Sequence, residues 1–142
     1  MALYAIGDLH LGLSVNKPMD VFGPGWDNHV ERLCRAFAQL DDDDVTVLCG
    51  DTSWAIDFAQ SLADFRLIDS FPGKKIILKG NHDYWWNTAA KMKRFFSDNG
   101  LTTLDISTTT ATSTGTTPSA APGGGSTRRS RPATTRRFST GR

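Results

Sequence analysis

Lys75-Ile76-Ile77-Leu78-Lys79-Gly80-Asn81-His82-Asp83 is the stretch whose reading decides the fold. Lys75 to Leu78 is a short apolar-rich run, too short for a helix and suited to a buried strand. A glycine ends it, and an amide, an imidazole and a carboxylate follow in succession. Two apolar runs upstream also lead into polar clusters. Val45-Thr46-Val47-Leu48 precedes Gly50-Asp51, and Leu3-Tyr4-Ala5-Ile6 precedes Asp8-Leu9-His10. Three strands therefore each end in a polar cluster, and strand ends are where α/β folds place their chemistry.

The segments between these runs read as helices. Residues 9 to 25 hold Gly12, Pro18, Gly23, Pro24 and Gly25 and form a loop. A helix starts near Asn28, with Glu31 placed to complete a capping box. Val30, Leu33, Phe37 and Leu40 keep helical spacing toward the sheet. Asp41 to Asp44 end that helix as a solvated turn. They lack the interleaved glycine and distal Glu of a calcium loop. Residues 55 to 69 make a second helix, with Ile56, Ala59, Leu62, Ala63 and Leu67 inward. Phe71-Pro72-Gly73 is a turn. Asn87 caps a third helix carrying Met92, Phe95 and Phe96, closed by Gly100. The order β-α-β-α-β-α predicts an α/β fold: a parallel sheet with right-handed crossovers and helices on its faces.

Composition divides the chain at about Ile106. Residues 107 to 142 contain no Leu, Ile, Val, Asp, Glu, Lys or Asn; Thr, Ser, Arg and Gly dominate. Such a segment cannot form a packed core, so a low-complexity, disordered tail is expected after a folded domain over 1 to 106. The net charge of +1 hides a split, with all 15 acidic residues in the body and six arginines in the tail. The tail has neither aromatic platforms nor a folded basic surface, which argues against a nucleic-acid-binding module. Cys34 and Cys49 fall in a helix and a strand, where they are expected to pack as small hydrophobes. Asp8 and His10 interrupt the N-terminal apolar run too early for a signal peptide. No stretch is long enough to span a bilayer. A reducing, cytoplasmic setting with no membrane partner is the expectation.

The clusters carry ligand chemistry. Carboxylate, imidazole and amide groups suit hard and borderline divalent ions. In an extended segment Asp8 and His10 point the same way, so both can reach one ion. Asp51 has two oxygens and can bridge two ions, and Asn81 adds a neutral oxygen. His82 points elsewhere, toward a substrate, and Asp83 can hold its ring in one tautomer. Two ions roughly 3.5–4 Å apart would polarise a phosphoryl group and activate water.

These blocks resemble those of the calcineurin-like metallophosphoesterases, D-x-H, G-D and G-N-H-D. Leu78-Lys79 and Tyr84-Trp85-Trp86 look like a bacterial branch of that family. The resemblance covers residues 1 to about 106. It implies the N-terminal half of a metallophosphoesterase α/β sandwich acting on phosphate mono- or diesters with two divalent ions, manganese, iron or zinc. Asp8 and His10 would hold the first ion, Asp51 would bridge, Asn81 would join the second, and His82 would protonate the leaving group or stabilise the transition state. The family completes its site with a further histidine and a terminal G-H-x-H block. This chain has only His10, His29 and His82, and His29 reads as a surface residue of the first helix. Three expected ligands are missing, so a non-catalytic fragment or weak single-metal binder is the alternative expectation.

The tail offers a cause. Shifted by one base, Thr codons become Tyr, His, Asn or Asp codons, and Ser codons become Phe, Leu, Ile or Val codons. One codon choice through Thr108 to Thr127 yields a strand-like string containing C-G-T-R-G-W, which resembles what the family carries there. A frameshift near Ser107, in the gene or in its sequencing, is therefore expected; a genuine Ser/Thr/Arg-rich tail that binds acidic partners is the alternative.

Overall fold

The computed structural model describes residues 1–107 and the backbone of residues 136 and 137. The expectation of a disordered tail therefore falls almost wholly outside the described residues. Four parallel strands, β1 (Leu3–Ile6), β2 (Val45–Leu48), β3 (Lys74–Ile77) and β4 (Leu104–Ile106), lie in the order β4-β3-β2-β1. A two-residue strand, β5 (Arg136–Arg137), pairs parallel to β1 at Tyr4 and Ala5. The crossovers carry α1 (His29–Phe37), α2 (Phe58–Asp69) and α3 (Ala89–Asp98). Among the described residues, no helix is long and apolar enough to cross a membrane.

The strands are added in one direction from β1 to β4. Right-handed crossovers then place every intervening helix on the same side. Burial agrees. Leu48, Ile77, Leu104 and Ile106 form one core with Leu33 and Phe37 of α1, Phe65 and Ile68 of α2, and Met92 and Phe96 of α3. The alternate residues face away from it. Leu3 and Ala5 are exposed, Val45, Val47 and Ile76 are half-buried, and none belongs to that core. Among the described residues the helices therefore lie on one face of the sheet. Cys49 extends the open side and is exposed, whereas Cys34 is half-buried.

Local chemistry shifts several boundaries. Asn28 precedes α1 in a left-handed conformation (φ 52°) and makes no side-chain cap. A capping oxygen reaches the first-turn amides only from extended backbone, so the capping box does not form. Glu31 instead accepts from Arg35 Nη2 at 2.6 Å. Thr88, not Asn87, caps α3 by accepting from the Lys91 amide. At the other end Gly100 N–H donates to the Ser97 carbonyl and Leu101 N–H to the Phe96 carbonyl, which closes the helix as a Schellman motif. Asp57 caps α2, and its buried residues are Ser61, Asp64, Phe65 and Ile68. Ile56 is 65% exposed, and Ala59 is exposed too. Of the inward set expected, Leu62 and Leu67 pack partly buried against the core, while Ile56 and Ala59 do not face it.

β3 begins one residue earlier than expected, and Lys75 lands on the buried face. Its Nζ donates to the Phe71 carbonyl and to Thr103 Oγ1. Burial lowers its pKa, and Asp69 opposes that shift. The Thr103 amide donates to Asp69 Oδ1 at 2.8 Å. This network ties the end of α2 to the start of β4, a strand absent from the sequence reading. The Asp41–Asp44 turn is accounted for locally. Asp44 accepts from the Ala2 amide at 2.6 Å and the Asp41 amide at 3.0 Å, and Asp43 pairs with the terminal amine at 2.7 Å.

Candidate metal centre

The three loops after β1, β2 and β3 are joined by their backbones. The Asp8 amide donates to the Gly50 carbonyl at 3.1 Å, and the His10 amide to the Asp51 carbonyl at 2.9 Å. Leu11 then bridges in parallel to Ser53. The second and third loops touch at two glycines. A Cβ on Gly50, which sits at φ +98°, would lie 2.7 Å from Gly80 Cα, and one on Gly80 would lie 2.1 Å from Asp51 Oδ1. Any larger residue at Gly80 would push the Asp51 carboxylate out of place.

Asp83 locks this junction. Its carboxylate is buried and accepts from the amides of Asp51 (2.9 Å), Thr52 (2.8 Å), Ser53 (3.4 Å) and Gly80 (2.7 Å), and from Trp85 Nε1 (3.1 Å). Trp85 packs edge-on against Phe65 at 4.7 Å, so the lock is rooted in the core. Asp83 was expected to orient the His82 ring. It binds main-chain donors instead, because the close turn leaves four amides pointing at one place and each needs an acceptor. The tie is reciprocal, since Asp51 Oδ1 accepts from the His82 amide at 2.8 Å.

The result is convergence. Asp8, His10 and Asp51 each offer one ligand atom, and these atoms lie within 4.8 Å of one another. His10 Nε2 is 3.6 Å from Asp8 Oδ1. The extended backbone expected at Asp8 and His10 is not found. Asp8, His10 and Asp51 have φ values of 55°, 45° and 51°. Left-handed backbone at a non-glycine residue costs on the order of 1–3 kcal/mol and persists where surrounding bonds over-determine it. The amide ladder and the Asp83 lock supply those bonds. Two oxygen donors and one nitrogen donor, strained into one place, fit a divalent cation. Asn81 is exposed and lies between Gly80 and His82, whose amides are held by Asp83 and Asp51. The His82 ring lies 6.0 Å from that of His10.

Aromatic residues that the sequence reading passed over surround these imidazoles. Trp54 stacks on His10 at 4.8 Å, and Trp26 meets the same ring edge-on at 5.9 Å. Trp26 also meets His29 edge-on at 5.5 Å. His29 is half-buried, not a surface residue, and burial lowers its pKa. Trp54, three residues after Asp51, was the available signal; Trp26, sixteen residues beyond His10, carried none.

A second buried carboxylate braces the loops from behind. Asp64 of α2 accepts from Ser53 Oγ and, at 2.9 Å, from the Leu13 amide. Burial raises its pKa, against those two hydrogen bonds. The unfolded chain releases this proton near pH 3.8 and the folded chain at higher pH. Between the two the native state binds more protons, so Asp64 makes stability fall as pH rises. Asp64→Asn keeps an acceptor for Leu13 and has no charge to bury. Urea midpoints from pH 4 to 7 should therefore show the variant gaining on wild type as pH rises. A gap that stays constant across that range would contradict the assignment.

A parallel α/β sheet whose consecutive strand ends gather carboxylates and an imidazole defines an α/β domain with a candidate metal centre. Residues 1–135 match the calcineurin-like phosphoesterase family, and the chain belongs to that family. No curated protein matches it. A solved structure, the protein of unknown function AQ665 from Aquifex aeolicus, aligns at 21% identity with a TM-score of 0.47, over 73% of this chain and 50% of that one. The chain thus spans half the length of that structure.

Proposed function

We propose that this domain serves metal-dependent hydrolysis of phosphate mono- or diesters. The observation that carries the reading is the convergence of Asp8, His10 and Asp51 within 4.8 Å in a chain of this family. Those three residues would hold one ion. The second carboxylate oxygen of Asp51 and the amide of Asn81 would contribute to another, with manganese, iron or zinc suiting the donors. Divalent ions there would polarise the phosphoryl oxygens and offset developing charge. His82 would give its proton to the leaving oxygen, and its main chain is fixed for that by Asp51. Asp83 supports the reaction by shaping the loops, and the substrate is a phosphate ester.

A second reading, a single-metal binder without turnover, is favoured by the donor count. Among the described residues, Asp8, His10 and Asp51 form the one donor cluster that includes an imidazole. Manganese stoichiometry measured together with hydrolysis of an aryl phosphate ester separates the two. Two equivalents of Mn²⁺ with turnover that His82→Ala lowers at nearly unchanged metal content is the result expected for the phosphoesterase. One equivalent with no turnover supports the binder, and no binding at all contradicts both.

A further inference from the structure

We infer that Trp54 is a positioning residue of the metal centre, the wedge that fixes the His10 and His82 rings relative to one another; this rests on the metal reading above. Each of the three strand-end loops contributes one ring to a single cluster: His10 from the first, Trp54 from the second, His82 from the third. Trp54 stacks nearly parallel on His10, at 4.8 Å and 23°, and tilts against His82 at 5.3 Å and 50°. The His10 side chain is only 12% exposed. Offset stacking of this kind has a preferred geometry and restricts how a ring can rotate.

Trp54 is itself held at several points. Its amide donates to the Leu11 carbonyl at 2.7 Å, one residue beyond His10. Its indole Nε1–H points to the sulfur of buried Met19 at 3.1 Å. The Lys17 ammonium sits 5.1 Å from the ring centroid, in cation–π range. A rigid indole therefore presents its face to the imidazole. The ligand nitrogen is aimed before an ion arrives, and less ordering is left for binding to supply.

The test is titration of the full 142-residue chain with Co²⁺, following heat of binding and the visible absorption band. Trp54→Ala should weaken Co²⁺ binding by about 10–100-fold, the range for groups that orient a metal ligand, and should change the band. Trp54→Phe keeps an aromatic face and should restore most of the affinity and the wild-type band. Ile68→Val, buried in the last turn of α2 at the opposite end of the strands, should lower the melting temperature and leave Co²⁺ affinity unchanged. Should Trp54→Ala fail to fold, Trp54→Leu against Trp54→Phe makes the same comparison at closer volume. Wild-type affinity and an unchanged band in Trp54→Ala or Trp54→Leu would overturn the inference while leaving the metal reading intact. Failure of the wild-type chain to bind Co²⁺ would overturn the metal reading, and this inference with it.

Discussion

Asp51→Ala is expected to abolish divalent-ion binding at the proposed centre while the sheet survives. Asp51 supplies one of three converging donors, and its carboxylate also accepts the His82 amide. Removing it takes away a ligand charge and releases the third loop from the second. Loss of an outer group that merely orients a ligand costs about 10–100-fold in affinity, so loss of the ligand itself should exceed that range. Asp51→Asn separates the two effects. Its amide oxygen still accepts from His82, so the loop stays tied, but the negative charge is gone. Calorimetric titration with Mn²⁺ should show no measurable binding for the alanine variant and strongly weakened binding for asparagine. Mn²⁺ affinity within a few-fold of wild type in Asp51→Ala would remove Asp51 from the centre.

Asp83→Ala is expected to produce a large loss of stability. Four amides and the Trp85 indole lose their acceptor together. A buried donor left unpaired costs about 1–3 kcal/mol, and entering water recovers part of the sum. A fall of about 3–5 kcal/mol is expected, at the upper end for a single substitution. Asparagine gives little rescue, since its NH2 group would face N–H donors. Urea unfolding measures this directly. A variant of wild-type stability with altered turnover would instead return Asp83 to the role of steering the His82 ring.

The contrast shows where sequence reasoning stops. The strands β1 to β3 and their polar ends were legible because apolar runs closed by glycine leave little else for the chain to do. The core-facing residues of α1 and α3 were legible for the same reason, since Leu33, Phe37, Met92 and Phe96 keep a clean helical period. α2 was not, because apolar residues occur on most of its sides. Its buried face was chosen by Asp64, whose partners Ser53 and Leu13 lie in distant loops. β4 has three residues, and Leu104-Asp105-Ile106 shows only one alternation. The convergence of Asp8, His10 and Asp51 within 4.8 Å does not come by the route the sequence suggested. Extended backbone was assumed, whereas three left-handed residues aim the side chains. Nothing in Leu9-His10-Leu11 announces that conformation, which tertiary hydrogen bonds impose. Asp83 was misassigned because its neighbour in sequence, His82, is not its partner in space.

The most direct measurement is anomalous X-ray diffraction from crystals of the Mn²⁺-loaded protein. A peak about 2.0–2.6 Å from donor atoms of Asp8, His10 and Asp51 is the expected result. The acidic turn at Asp41, Asp43 and Asp44 also groups its carboxylates within 4.8 Å and serves as an internal control. A peak at that turn alone, or none near Asp51, would contradict a metal centre built on Asp8, His10 and Asp51.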